Sequence, residues 1–467
     1  MVELEMVGGA GTVTGSKYLL RTPRSTVLLE CGLFQGRRKE SFLRNRTLGL
    51  DVASIDAVVL SHAHLDHSGA LPVLWKRGYR GPIYSTPATR DLCAPMLDDA
   101  ARIQAADAAH IARMIERGEH VDPVTPLYDR DAVVETLALF IGIPYHRRER
   151  VAPGVTVTFH DAGHVLGSAI VVLDIDDDGT PLRLVFTGDL GHAGLPLLRP
   201  PELPTGAHVL LTESTYGDRS HPPLKATTDQ LAATITTTVA RGGKVIIPAF
   251  ALERSQEVVY TLKRLRAEKR IPAVPVYVDS PLALKVTDVF RLHPDALRKE
   301  TLEQFGDHDS PFDFPGLQYV SDVEESKEID ASPAPSIIIA GSGMCEGGRV
   351  LHHLRASLED PRATIVIVGY QAEHTLGRRL AERRPDVKVF GVPRTRNADV
   401  VVLDGLSAHA DQGELLEFAR AMRARGSLRQ VILVHGEPPA TKALATALHA
   451  AHFPTVHVPE RGERIRL

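Results

Sequence analysis

Cysteine is scarce in this chain: Cys31, Cys93 and Cys345 stand far apart among 467 residues. That spacing leaves neither a disulfide framework nor a Cys-x-x-Cys metal knuckle, and it points to a reducing, cytoplasmic compartment. No apolar run approaches the roughly 20 residues that a membrane span requires, and the opening Met1-Val2-Glu3-Leu4-Glu5 is too acidic and too short for a secretory signal. Basic excess is missing too. Lys and Arg number 54 against 58 Asp and Glu, a net charge of −4, which argues against a uniformly basic nucleic-acid surface but not against a local groove. The basic clusters Arg37-Arg38-Lys39, Arg147-Arg148 with Arg150, and Arg378-Arg379 read one by one as solvated faces.

What remains is an ordinary globular composition, 43% hydrophobic and 24% charged, in a chain longer than one core usually organises, so two domains are expected. Strand and helix signals alternate almost throughout, the pattern of a layered α/β architecture. Short strands are expected at Tyr18-Leu19-Leu20, Val27-Leu28-Leu29 and Ala57-Val58-Val59-Leu60, a helix from Gly69 to Gly78 with Pro72 in its first turn, and helical structure from about 92 to 140. Later strands are expected within 244–250, 274–281, 336–340 and 363–370, with a helix from Leu252 to Ala267. The acidic, Ser/Pro-containing stretch from Ser321 to Pro335 reads as an exposed loop or linker.

Directly after the strand ending at Leu60 comes Ser61-His62-Ala63-His64-Leu65-Asp66-His67. Three imidazoles and a carboxylate at a strand end read as half of a two-metal site, because zinc takes imidazole nitrogen at about 2.0–2.1 Å and carboxylate oxygen at a similar reach. Candidate partners follow in strand-turn contexts: His164 in Asp161-Ala162-Gly163-His164, Asp189 in Thr187-Gly188-Asp189, and His435 after Val431-Ile432-Leu433-Val434. Taken singly, each is more often a turn or capping residue than a ligand.

In this order the motifs resemble those of the metallo-β-lactamase superfamily, with its His-x-His-x-Asp-His, a later His, a Thr-Gly-Asp and a last His. The resemblance implies an αββα sandwich and two zinc ions per chain. One zinc would take His62, His64 and His164, the second Asp66, His67 and His435, with Asp189 bridging. The family's first motif usually carries Asp before Cys-Gly, whereas this chain has Glu30 in Leu29-Glu30-Cys31-Gly32, which leaves open how an outer carboxylate braces the metal loop.

The long gap from Asp189 to His435 has its own βα rhythm and implies an inserted α/β, Rossmann-like domain. Leu211-Thr212-Glu213-Ser214-Thr215-Tyr216-Gly217, Gly405-Leu406-Ser407-Ala408-His409-Ala410-Asp411 and His435 resemble the motifs of the β-CASP branch, the nucleic-acid-processing members of the superfamily. Gly8-Gly9-Ala10-Gly11-Thr12-Val13-Thr14-Gly15-Ser16 and Gly369-Tyr370-Gln371-Ala372 extend the likeness over nearly the whole chain. It is similar to compact prokaryotic relatives of the cleavage and polyadenylation endonuclease, with no KH-type extension and no added C-terminal domain expected. The expected divisions are 1–205 and 394–467 for the metallo-β-lactamase domain and 206–393 for the β-CASP domain, with the active site in the cleft between them.

Histidine at the position of His435 goes with RNA-processing members of the branch. The resemblance thus implies a zinc-dependent ribonuclease that uses a two-metal-activated hydroxide, endonuclease favoured over 5′-exonuclease, leaving a 5′-phosphate and a 3′-hydroxyl. His409 is the candidate proton donor to the leaving oxygen, against the plainer reading of a cap for the helix starting near Asp411. Glu213 would hold its far nitrogen, and Asp66 could take a proton from the bridging water but is a ligand first. Ser342 and Gly343 in a Gly-rich turn between strand and helix, with Ser407, Arg254 and Arg349, are candidate phosphate contacts. Expected partners are single-stranded RNA and a second copy of the chain, with no membrane. The competing readings are a small-molecule hydrolase of the lactamase or thioesterase type and a non-catalytic RNA-binding scaffold.

Overall fold

A computed structural model describes residues 2–36, 38–177, 179–305, 310–372 and 374–467, so Arg37 of the first basic cluster lies outside the described residues. Strands form where aliphatic and β-branched side chains run together or alternate. In chain order they are β1 (Glu3–Gly8), β2 (Lys17–Arg21), β3 (Thr26–Leu29), β4 (Ala57–Val59), β5 (Ile83–Ser85), β6 (Phe140–Gly142), β7 (Arg148–Ala152), β8 (Val155–Asp161), β9 (Ala169–Asp177), β10 (Thr180–Phe186) and β11 (Val209–Glu213). There follow β12 (Val245–Pro248), β13 (Val276–Asp279), β14 (Leu317–Tyr319), β15 (Ile337–Ala340), β16 (Thr364–Ile367), β17 (Asp386–Val389), β18 (Val392–Thr395), β19 (Asp399–Val402), β20 (Gln430–Val434), β21 (Val456–His457) and β22 (Arg464–Arg466).

The chain divides into two compact units, Met1–Ala193 with Pro200–Ser220 and His409–Leu467, and Gly194–Arg199 with His221–Ala408. Strand pairing explains why the main divisions, at 220/221 and 408/409, fall later than 205/206 and 393/394: β11 pairs with β10 and β20, whereas β19 pairs with β16.

The first unit holds two seven-stranded sheets, ordered β22-β1-β2-β3-β4-β5-β6 and β21-β20-β11-β10-β9-β8-β7. Alternation along each strand sends one set of side chains into the space between the sheets: Tyr18, Leu20, Val27, Leu29 and Val59 meet Val157, Phe159, Val171, Leu184, Phe186 and Leu211 in one buried core. The opposite faces of β9, β10 and β11 bury Ile170, Val172, Val185 and Leu210 against Leu415, Phe418, Met422, Leu444 and Leu448 from the helices Gln412–Ala424 and Pro438–Ala450. Helix Arg130–Leu137 packs on Leu71–Lys76 and on Pro87–Glu116, which also packs on β6, completing an αββα sandwich.

The second unit is built on a six-stranded sheet, β14-β13-β15-β12-β16-β19, in which every pairing is parallel. Its strands Val245–Pro248, Ile337–Ala340 and Thr364–Ile367 are buried along their whole length, as a parallel sheet covered on both faces requires. Helices such as Leu224–Ala240, Arg254–Ala267, Pro281–Leu292 and Val350–Ser357 alternate with the strands, giving the Rossmann-like layering expected of the insert.

Three local expectations need correction. Residues 321–335 are not a loop: Asp322 accepts from the N–H groups of Glu324 and Glu325 and starts a helix at Val323–Ala331, with the two acidic side chains in its favourable first turn. Helix does not fill 92–140, because the long helix ends at Glu116 before Gly118 and the next starts at Arg130, N-capped by Asp129. The helix after the metal loop is shorter than Gly69 to Gly78, running Leu71–Lys76 with Pro72 in its first turn, and Gly78 lies beyond it at φ +103°. Among the described residues no helix is long and apolar enough to cross a membrane.

Candidate metal centre

Each candidate ligand sits just past the carboxyl end of a strand. The loop Ser61 to His67 follows β4, His164 follows β8, Asp189 follows β10 and His435 follows β20, while Glu30 follows β3 and Glu213 ends β11. Parallel pairing of β3 with β4, and of β10 with β11 and β11 with β20, turns these ends to the same edge of their sheets. That edge is where open α/β sheets place ligand-binding loops.

Backbone contacts fix the loops before any side chain is considered. Cys31 N–H donates to His67 O at 2.7 Å, Leu33 N–H to Leu65 O at 2.8 Å, and Ser16 N–H, from the Gly-rich first motif, to Asp66 O at 2.9 Å. Gly32 makes this approach possible, since a Cβ there would lie 1.6 Å from Asp66 O. Gly191 serves the opposite side of the centre, where a Cβ would lie 2.0 Å from Gly163 O. His435 N–H donates to Gly9 O at 2.7 Å.

The side chains then converge in two groups. His64 Nδ1 is 3.1 Å from His62 Nε2 and 3.3 Å from His164 Nε2, and Asp189 Oδ2 lies 3.5 and 3.6 Å from the same two nitrogens. In the second group His435 Nε2 is 3.3 Å from His67 Nε2 and 3.4 Å from Asp66 Oδ2. Asp189 faces this group as well, with Oδ2 3.4 Å from His67 Nε2. Its Oδ1 is buried and, among the described residues, accepts no hydrogen bond, although His435 Nδ1 is 3.2 Å away.

Ligands bonded at 2.0–2.1 Å around a tetrahedral ion stand about 3.3 Å apart. The spacings observed here match that figure, so both groups fit a divalent ion. Protonation agrees with this fit at His62, His64 and Asp189. Burial, reinforced by His67, holds His62 well below the ordinary histidine range, and burial lowers His64 to about 4, so both present lone pairs. Burial by itself would raise the Asp189 carboxyl, but His435 and His67 hold it well below the usual carboxylate range.

Glu30 answers the question that its extra methylene raised. Its Oε1 accepts from Ser61 N–H at 2.6 Å, while Oε2 accepts from the Ser61 hydroxyl at 3.1 Å and lies 2.6 Å from His67 Nδ1. Ser61 Oγ is also 2.9 Å from His62 Nδ1, so one buried carboxylate orients a histidine in each group. The backbone at Glu30 is left-handed, φ +63°, a conformation costly for a side-chain-bearing residue and held here by bonds from both its carboxylate and its N–H. Glu30→Gln sets an amide among groups that need an acceptor. The expected result is a roughly 10–100-fold loss of metal affinity, read by chelator competition; unchanged affinity would reduce Glu30 to a folding role.

The structure brings His409 and Glu213 together beside this centre. His409 Nδ1 is 3.2 and 3.1 Å from the two Glu213 oxygens, and Glu213 Oε1 also accepts from Leu190 N–H at 2.6 Å. Ala410 N–H donates to Leu190 O at 2.7 Å, so the His409 and Asp189 turns are tied by backbone as well. The His409 ring lies 4.4 Å from the His164 ring. Burial alone would lower this imidazole, but Glu213, then Asp189 and Asp66, raise it to about 8. Capping is not its task, since Asp411 caps the following helix and forms a capping box with Glu414.

Three positioning hydroxyls carry no individual signal in the sequence. Ser61 is one; Ser168 Oγ accepts from His164 N–H at 3.1 Å, and Thr215 Oγ1 lies 3.1 Å from His435 Nδ1. Each stands within a few residues of a ligand or of Glu213, which is the only sequence cue that could have found it.

The candidate phosphate contacts belong to the second unit. Gln371 Nε2–H donates to Gly343 O at 3.0 Å, so the turn after β15 is held by the Gly369 to Ala372 motif. The helix that follows it runs Val350–Ser357, and the Val350 N–H is taken by Gly341 O at 3.0 Å. Ser342 is half-buried, and Gly343, Ser407 and Arg254 are buried. Arg349 is engaged elsewhere: its guanidinium pairs with Asp279 and donates to the carbonyls of Val320 and Ser321. Such an arginine is a brace of the fold.

Comparison with known proteins agrees with this geometry. Residues 10–248 match the metallo-beta-lactamase superfamily, 255–380 the Beta-Casp domain and 394–459 the Zn-dependent metallo-hydrolase RNA specificity domain. Ribonuclease TTHA0252 of Thermus thermophilus is 39% identical over 441 residues, covering 94% of this chain and 94% of that protein. Transcription termination factor FttA of Methanosarcina mazei is 34% identical over 464 residues, 96% of this chain and 69% of its own. A crystal structure of a protein of unknown function from Enterococcus faecalis shares the fold, with a TM-score of 0.55 at 13% identity over 100% of both chains. The chain therefore belongs to the Beta-Casp branch of the metallo-beta-lactamase superfamily and is a metal-dependent hydrolase of the nuclease class.

Proposed function

We propose that this protein is a zinc-dependent ribonuclease that hydrolyses RNA phosphodiester bonds internally, in the cytoplasm. The observation that carries the reading is a histidine held by its own carboxylate, His409 on Glu213, beside two converging donor groups that share Asp189. His62, His64 and His164 would hold one zinc ion and Asp66, His67 and His435 the other, with Asp189 between them. When bound, a pair of such ions lowers the pKa of water and neutralises charge on phosphoryl oxygens.

The chain's own residues supply the rest. Glu213 fixes Nδ1 of His409, so the proton given to the leaving oxygen departs from Nε2, and the ribose product keeps a 3′-hydroxyl. Ser342 would contact the RNA backbone, being more accessible than the buried Gly343, Ser407 and Arg254, which would take part only through a smaller share of their polar atoms. The relatives, a ribonuclease and a transcription termination factor, support RNA as the polymer.

The decisive experiment incubates the zinc-loaded protein with end-labelled linear RNA and with a circle of the same sequence. Cleavage of the circle is expected, because a circle offers no end; cleavage of the linear form alone would make the enzyme an exonuclease. Parallel assays with nitrocefin and a glutathione thioester are expected to show no turnover. Chelation should abolish cleavage and added Zn²⁺ restore it. RNA affinity is expected to fall as salt rises, each phosphate contact contributing a slope of about −0.7 for single strands. A flat salt dependence would count against a polyanionic substrate.

A further inference from the structure

Among the described residues, one group away from the metal centre also brings two imidazoles and a carboxylate together. His146 lies in the turn between β6 and β7, His160 is the penultimate residue of β8, and Glu202 lies in the connection from β10 to β11. His146 Nε2 is 2.7 Å and His160 Nδ1 3.2 Å from the same oxygen, Glu202 Oε2. The two rings meet edge to face at 5.2 Å, and the three ligand atoms lie within 4.8 Å of one another.

The backbone holds this cluster in place. His146 N–H donates to Phe159 O and Glu202 N–H to Asp161 O, both at 2.8 Å, so the two segments are pinned on either side of His160. Tyr145 donates its hydroxyl to Ser168 O at 2.8 Å, and His146 adopts a left-handed backbone, φ +65°, which turns the chain back toward β8. Three separate stretches of chain therefore each present one ligand atom to a common point.

We propose that His146, His160 and Glu202 form a third divalent-metal site, of the two-histidine, one-carboxylate type that takes zinc or a similar borderline ion. Two neutral imidazoles and one carboxylate are the donor set such ions select, with the remaining position left to water. Binding replaces the shared protons at Glu202 Oε2 with the ion. The spacings of 2.7 and 3.2 Å then open to about 3.3 Å, a movement that His146, with 59% of its side chain exposed, makes by rotating outward. Burial keeps His160 on the neutral side, and the side chains of His146 and His160 keep Glu202 ionised against the effect of its own burial, so the carboxylate has no proton to lose, and a neutral imidazole frees the nitrogen facing Glu202 by carrying its proton on the other ring nitrogen.

The ion would staple the β6–β7 turn and the β10–β11 connection to the strand that leads into the His164 loop. This site is independent of whether the substrate is RNA. It is tested on the full chain, stripped of metal, dialysed against micromolar free Zn²⁺ and analysed for bound zinc. The wild type should hold one Zn²⁺ per chain more than His146→Ala and Glu202→Gln, and both variants should cleave at the wild-type rate with full metal in the catalytic groups. In the Co²⁺ form, the visible absorption of the extra equivalent should vanish in both variants. Equal zinc in all three proteins overturns the proposal. So does a loss in Glu202→Gln with none in His146→Ala, because the exposed His146 can be removed without disturbing the fold.

Discussion

His409→Ala leaves zinc content and RNA affinity at wild-type values and lowers the cleavage rate by about 10²–10⁴-fold, the usual worth of a positioned proton donor. The imidazole contacts Glu213 through Nδ1 and belongs to neither donor group, so its removal takes nothing from the ligand set. The pH profile separates a donor from a merely structural residue. With its pKa raised to about 8, His409 is protonated, and able to donate, below that value; the donor is lost as pH rises through it. Metal ions held by the two donor groups would oppose the imidazolium charge, so the falling limb of the rate profile is expected at or below about pH 8. The alanine variant should lack this limb. Glu213→Gln should keep it but shift it to lower pH, because the carboxylate that raises the imidazole is gone. Turnover near the wild-type level in His409→Ala would place the proton donor elsewhere.

Asp189→Asn should lose at least one zinc ion together with its activity. The carboxylate stands 3.4 to 3.6 Å from His62, His67 and His164 through Oδ2, and its other oxygen lies 3.2 Å from His435. An amide keeps the shape but gives up the charge and one of the two acceptor oxygens that would face both ions. Metal affinity is therefore expected to fall further than the roughly 10–100-fold cost of losing an outer carboxylate. Zinc per chain, measured after gel filtration, is the readout. A variant with unchanged zinc would disprove the bridging assignment, whatever happened to its rate.

Much of the centre is legible in the sequence because half of it is contiguous. His62, His64, Asp66 and His67 lie in one loop after one strand, and local order alone announces them. His164, Asp189 and His435 are strand-end residues like many others, and only resemblance to a family gives them a common purpose. The reach of Glu30 to Ser61 and His67 could not be read, since it depends on how β3 and β4 lie side by side. The same holds for Arg349, whose partner Asp279 ends a different strand, and for His146, His160 and Glu202, which share no motif. The helix at Val323–Ala331 was hidden for another reason: Ser and Pro in its flanks outweigh a single aspartate cap in any compositional reading.

The glycine at position 32 leaves the metal loop no slack in chain length. With Asp66 O against its Cα and the N–H groups of Ser16, Cys31 and Leu33 each paired to a successive carbonyl of residues 65–67, the loop is registered to its neighbours like a strand in a ladder. One inserted residue would move every ligand after it onto the wrong face, whereas exchange of the His64 or Asp66 side chain would leave these backbone pairings and the Glu30 carboxylate's bonds in place. A change of preferred metal is therefore open to this scaffold by substitution at 64 and 66, and closed to it by insertion or deletion.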